Sequence, residues 1–249
     1  MTDRVAELGA KLAAVRSQIA TAAAAAGRDP TEITLIAVTK TFPVSDIMLL
    51  SRLGVLDIGE NRDAEAAPKA AACAAAGTEV RWHFVGQLQV NKAARVAAYA
   101  DVVHSVDRLR LAEVLGRRAA GTGRVISCLV QVTLDKPGPA AGGDRGRGEA
   151  DGTGRGGADP HQVPEVAAAI AAQPNLRLAG VMGIAPLGQP ARPAYARLRE
   201  TAEAVRAAHP DAQVISAGMS ADMAEAIAEG ATHVRIGTAL LGGRPPFVR

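Results

Sequence analysis

The sequence predicts an α/β fold, a single (β/α)8 TIM-type barrel with an additional N-terminal helix, and three observations carry that expectation. Eight short apolar runs alternate with helical segments, the pattern of a parallel sheet whose crossovers are helices. At 249 residues the chain has the length of one such barrel. The residues with chemistry to offer fall just after the apolar runs, at the strand ends where a barrel gathers its site. An open doubly wound sheet is the alternative, and it explains that common placement less well.

Val5, Leu8, Leu12, Val15 and Ile19 recur every three or four residues, which predicts an amphipathic helix over 3–26, stopped by Gly27 and Pro30. Ile33-Thr34-Leu35-Ile36-Ala37-Val38 predicts a first strand at 33–39, closed by the turn Thr41-Phe42-Pro43. Strands are expected next at 55–58, 81–85, 101–105, 125–132, 177–184, 213–216 and 232–236. Helices are expected near 44–53, 61–76, 91–99, 107–119, 161–172, 190–208 and 220–229. Residues 135–160 break the rhythm. Their glycines, from Gly142 to Gly157, predict a long flexible loop after strand five, inside one domain spanning 1–249. The Arg-Gly steps there invite an RNA-binding reading. Yet Asp144, Glu149, Asp151 and Asp159 outnumber Arg145, Arg147 and Arg155 over 141–159, and a nucleic-acid tail should be net positive.

Composition narrows the function. With 48% hydrophobic and 21% charged residues the chain has material for a large core, which excludes global disorder. A net charge of +3 is too dispersed to indicate nucleic acid, and 2% aromatic residues leave no stacking platform for single strands. Asp3, Arg4 and Glu7 interrupt any signal sequence, and no run has membrane-spanning length and apolarity. Cys73 and Cys128 sit in apolar patterns and read as buried small residues rather than a disulfide. A cytoplasmic protein is expected.

Lys40 stands at the tip of the first strand. A lysine in apolar surroundings loses hydration that favours its ammonium form, so its amine becomes nucleophilic and can hold an aldehyde as a Schiff base. The alternative is a strand-end lysine whose stem covers the rim while its charge reaches water. Ser216-Ala217-Gly218-Met219-Ser220-Ala221-Asp222-Met223 joins a strand end, a glycine and a helix start, with Ser220 as expected N-cap; its free amides would suit a phosphate. Gly237-Thr238, after strand eight, adds a backbone approach and a hydroxyl. Ordinary capping is the alternative for either segment, but barrels commonly bind phosphate after strands seven and eight. Arg235, interior-facing on the last strand, could face a pyridine nitrogen, where a cation disfavours ring protonation. The other reading is a rim arginine paired with Glu229. His83 and His104 read as core or rim histidines satisfied by backbone partners.

Several of these segments together resemble a known family. Ile36-Ala37-Val38-Thr39-Lys40-Thr41, Ile58-Gly59-Glu60-Asn61, Trp82-His83-Phe84-Val85-Gly86-Gln87, Gly218-Met219-Ser220-Ala221-Asp222-Met223 and Val234-Arg235-Ile236-Gly237-Thr238 are similar to motifs of the pyridoxal-phosphate homeostasis protein family. The resemblance runs in family order from the first helix to Gly242. It implies a barrel like the N-terminal domain of alanine racemase, carrying pyridoxal 5′-phosphate on Lys40. It also implies that Ser216, Gly218, Ser220, Gly237 and Thr238 surround the phosphate, that Arg235 lies near the ring nitrogen, and that Asn61 is near the ring. Arg62 departs from the family's frequent tyrosine.

The implied role is reversible cofactor binding in intracellular vitamin B6 balance, with pyridoxal-phosphate-dependent enzymes as candidate recipients, and no dedicated catalysis. A monomer is expected. The competing reading is a pyridoxal-phosphate-dependent amino-acid racemase, with His83 or His104 as second base. A two-base racemase needs a second proton donor across the ring. The sequence offers no further domain after Arg249 to supply a tyrosine, and Tyr99 and Tyr195 are expected on or beside helices, away from the strand tips. A third reading makes the cofactor a signal that shifts a conformational equilibrium.

Overall fold

The computed structural model describes residues 2–135 and 156–243. Helix α1 (Thr2–Ala25) leads into β1 (Thr34–Val38), α2 (Val44–Arg52), β2 (Asp57–Glu60), α3 (Asp63–Ala75) and β3 (Arg81–Phe84). Then come α4 (Ala93–Ala97), β4 (Val102–Val106), α5 (Leu109–Ala120), β5 (Ile126–Val132), α6 (Val163–Ala171) and β6 (Leu176–Gly183). The described residues end with α7 (Ala191–Ala208), β7 (Val214–Ser216), α8 (Met223–Ala228), β8 (His233–Ile236) and the single turn α9 (Thr238–Leu241). Each strand pairs in parallel with the next and β8 pairs back onto β1, so the sheet is a closed eight-stranded barrel.

The helical stripe read from the sequence is buried except at its first member, Val5, which is exposed. Leu8, Leu12, Val15 and Ile19 of α1 join one large core between sheet and helices, and each buried leucine or isoleucine contributes about 1.5–3 kcal/mol over its exposed state. A second, small apolar cluster lies inside the barrel, where Leu129, Ala179 and Met182 meet.

The structure corrects several boundaries. Strand two begins at Asp57, not 55: Gly54 adopts φ +77° and the Val55 N–H donates to the Leu50 carbonyl, so Val55 belongs to the turn that ends α2. The helix expected over 91–99 is a 3-10 turn, Val90–Lys92, followed by the short α4. Most of the glycine-rich tract, 136–155, lies outside the described residues. Its described end is docked: the Ala158 N–H donates to Gln131 O at 2.8 Å, and the Thr133 N–H donates to Ala158 O at 3.0 Å.

Among the described residues no helix is long and apolar enough to cross a membrane. Cys73 and Cys128 are buried and free, and burial raises the Cys128 thiol pKa.

Candidate functional site

Alternation along each strand decides which side chains enter the barrel. Ile36 is in register with Arg235, and Gly59 with His83. His83 reaches His104, and His104 reaches Ser216 on β7, so this phase points into the lumen. Continuing the same phase past the strand ends brings Lys40, Asn61, Gly218 and Gly237 to the C-terminal mouth. One of those positions, Gly218, is glycine for steric reasons, whereas Gly237 is not. Gly218 has φ +88°, and a Cβ there would lie 2.7 Å from that of Ala226; a Cβ on Gly237 would stand 3.4 Å from the Val38 carbonyl oxygen. At Gly218 the missing Cβ lets the loop after β7 pack tightly against α8.

Below the mouth a polar chain crosses the lumen. Arg235 Nη1 donates to Ser216 Oγ at 2.7 Å, Ser216 Oγ lies 3.0 Å from His104 Nδ1, His104 Nε2 lies 2.9 Å from His83 Nδ1, and His83 Nε2 lies 2.9 Å from Asp57 Oδ1. A guanidinium only donates and a carboxylate only accepts, so the ends fix the sense of the whole chain when both imidazoles are neutral. Ser216 donates to His104, which donates through Nε2 to His83, which donates through Nε2 to Asp57. Burial, then the nearby His83 and Arg235, hold the His104 pKa well below the usual imidazole value. Burial raises the Asp57 pKa, but the hydrogen bond from His83 and the neighbouring basic groups, Arg81 among them, together outweigh it and leave the carboxyl more acidic than usual. Both shifts favour the directed arrangement. The backbone partners expected for His83 and His104 are replaced by side chains.

This chain pins Arg235. Its Nη2 donates to the Gly183 carbonyl at 3.0 Å, while Nε has no partner among the described residues. Burial lowers its pKa, partly opposed by Tyr195 and Asp222, yet a guanidinium stays charged. The alternative pairing with Glu229 does not occur, because Glu229 binds Arg192 and Arg199. Ser216 is fully buried, with its hydroxyl committed to Arg235 and His104, so it supports the arginine instead of facing the outer loops.

Lys40 is half-buried, and its amine has no hydrogen bond or ion pair among the described residues. Asn61 is half-buried with Oδ1 buried and unpartnered. Its loop passes so near Gly86 that a Cβ there would fall 2.1 Å from the Asn61 carbonyl oxygen, which gives the glycine at 86 its physical reason. Glu60 faces the opposite way, between sheet and helices, where Lys69 Nζ and Thr39 Oγ1 both donate to its Oε1 at 2.6 Å. Arg62 is exposed, 3.7 Å from Glu65.

Two expectations about the loops are corrected. Ser220 is not a helix cap: Asp222 Oδ1 accepts the Met219 N–H at 2.6 Å, so 219–222 form a side-chain-closed turn and α8 starts only at Met223, leaving Ser220 exposed. Tyr195 is on helix α7, but it is not remote from the strand tips. Its hydroxyl donates to Asp222 Oδ2 at 2.7 Å, in the loop after β7. Thr238 is exposed at the start of α9. The barrel thus gathers Lys40, Asn61, Gly218, Arg235 and Gly237 about one mouth, with Ser220 and Thr238 on its outer loops and Ser216 beneath.

Comparisons with known proteins agree with this fold. The profile of the alanine racemase N-terminal domain family matches residues 147–245. A pyridoxal phosphate homeostasis protein of Mycobacterium tuberculosis (strain ATCC 25618 / H37Rv) is 41% identical, over 97% of this chain and 95% of its own length. PipY of Synechococcus elongatus PCC7942, solved with PLP bound, is 32% identical with a TM-score of 0.77, covering 94% of this chain and 100% of that one. An unknown protein from Bifidobacterium adolescentis superposes with a TM-score of 0.83 at 31% identity, covering 96% of each chain.

Proposed function

This chain belongs to the pyridoxal phosphate homeostasis protein family, and from that premise we propose that it binds pyridoxal 5′-phosphate covalently and reversibly through Lys40, as a carrier and buffer in vitamin B6 balance. The observation that carries the reading is the shared inward phase of Lys40, Asn61, Gly218, Arg235 and Gly237 at one barrel mouth. The site fits the group on its own terms: an unpartnered buried Asn61 Oδ1, an Arg235 whose Nε–H has no partner among the described residues, and glycines at 218 and 237 that place no side chain at the mouth. When bound, the cofactor supplies an aldehyde that condenses with an amine and a pyridine ring able to take up electrons.

The residues here bind and orient more than they transfer protons. Arg235, a fixed cation, would face the ring nitrogen and disfavour its protonation, which weakens the electron sink. Backbone at Gly218 and Gly237, with the hydroxyls of Ser220 and Thr238, would hold the phosphate. No second base is poised among the described residues. His83 and His104 are engaged in the lumen chain, and the Tyr195 hydroxyl is committed to Asp222 with its pKa raised by burial and that bond. Buried, free cysteines suit a cytoplasmic setting. A monomer that hands the cofactor to dependent enzymes completes the reading.

The test is borohydride reduction after loading with pyridoxal 5′-phosphate, then peptide mass mapping. A phosphopyridoxyl group on Lys40, absent in Lys40→Ala, is expected; modification confined to other lysines would refute the site. The match to the alanine racemase domain family favours a second reading, minor racemase activity. Incubation with L-alanine in heavy water distinguishes the two, since exchange at Cα well above that with free cofactor would mark an enzyme.

A further inference from the structure

The backbone that carries Lys40 is gripped from outside the barrel. Thr39–Phe42 form a β-turn closed by the Phe42 N–H donating to Thr39 O at 3.1 Å. Its third residue, Thr41, has φ +68°, a region that turns of this sense normally give to glycine. Thr41 is the one non-glycine residue with positive φ among the described residues, and a β-branched side chain is poorly suited to it. Such backbone persists only where its surroundings over-determine it.

Here they do. Glu65 and Lys69 stand one turn apart on α3 and so share a face. Lys69 Nζ donates to the Thr39 carbonyl at 2.9 Å, and Glu65 Oε2 accepts the Thr41 N–H at 3.0 Å. Those groups belong to the two peptide planes on either side of the Lys40 Cα. Lys69 is itself fixed by the fully buried Glu60, which also takes the Thr39 hydroxyl. Helix α3 thereby sets both planes that aim the Lys40 side chain, without touching its amine.

We propose that Glu65, Lys69 and the left-handed Thr41 are positioning residues for Lys40, forming a clamp on α3 that delivers its amine to the barrel mouth. The inference rests on the covalent role given to Lys40, but its test does not depend on that role alone. Amide exchange of the cofactor-free protein reads the clamp directly. Glu65→Ala should speed exchange at the Thr41 amide on the order of tenfold, and Glu65→Gln, which keeps an acceptor, should restore protection. The second readout is the rate at which pyridoxal 5′-phosphate becomes borohydride-fixable on Lys40. It should fall roughly tenfold in Glu65→Ala and Thr41→Gly through loss of orientation, and recover in Glu65→Gln. Thr41→Gly should at the same time keep or raise the melting temperature, because it relieves the backbone. Parental exchange in Glu65→Ala, or parental labelling in both Glu65→Ala and Thr41→Gly, would overturn the clamp. Should the parent itself fix no cofactor on Lys40, the proposed function has failed instead. Reductive methylation of Lys40 by formaldehyde then replaces the cofactor, with the same order of rates supporting the clamp and equal rates refuting it.

Discussion

Replacing Ser216 by alanine should reveal how much the lumen chain contributes. The hydroxyl lies at 0% exposure, 2.7 Å from Arg235 Nη1 and 3.0 Å from His104 Nδ1. The substitution removes one oxygen and leaves two buried groups without a partner, a charged donor and a neutral acceptor. An orphaned buried group costs about 1–3 kcal/mol, more when charged, so the loss should be roughly 2–5 kcal/mol. Against a typical total of about 5–15 kcal/mol, that is a large fraction. Urea denaturation at neutral pH, with the slope compared between proteins, measures it. Pairing Ser216→Ala with His104→Leu in a double-mutant cycle should give strong non-additivity, since the two side chains share one hydrogen bond. Nitrogen NMR of the imidazoles provides the independent check: both His83 and His104 should carry their proton on Nε2. A loss below about 0.5 kcal/mol, the level of an ordinary surface change, together with the opposite tautomer at His104, would refute the directed chain.

Two further predictions concern the lumen and the mouth. Burial, with His83, lowers the His233 pKa to about 4 although Asp57 opposes it, and burial depresses His104 as well. A depressed imidazole contributes stability that is present above its unfolded value and lost as pH falls towards its folded one. Thermal stability should therefore decline between about pH 6.5 and pH 4, by up to about 3 kcal/mol from His233 alone; a melting series of His233→Asn should be flatter over that interval, and an equal slope would contradict the assignment. Gly218→Ala meets both φ +88° and the Ala226 Cβ, so a loss of about 1–3 kcal/mol is expected by chemical denaturation. Weaker binding of inorganic phosphate by titration should accompany it, and an unchanged protein would deny the close approach at that loop.

Much of the fold was legible because it depends on local periodicity. The alternation of apolar runs and helical stripes specified eight strands, and the barrel closes in that order. The inward phase of Lys40, Asn61, Gly218, Arg235 and Gly237 follows from the same period of two. What sequence reasoning missed lies in long-range partners and local competition. Ser216 looked like a rim hydroxyl because His104, which claims it, lies 112 residues away. Ser220 looked like a cap because nothing in the run Met219-Ser220-Ala221-Asp222 announces that Asp222 will close the turn first. Tyr195 was placed by its helix, whereas its ring spans the gap to the β7 loop. The Thr41 turn was hidden by propensity itself, since glycine is the residue such a turn advertises. A carboxylate and a lysine four apart on α3, just after Glu60-Asn61, were the available signal for that clamp.

The filled lumen has a consequence for traffic. Asp57, His83, His104, Ser216 and Arg235 occupy one side of the bore, and Leu129, Ala179 and Met182 the other, so the barrel is a blind well with a floor. Anything seated at Lys40 must arrive and depart through the same doorway. Among the described residues, capture and release of such a ligand would share that one opening.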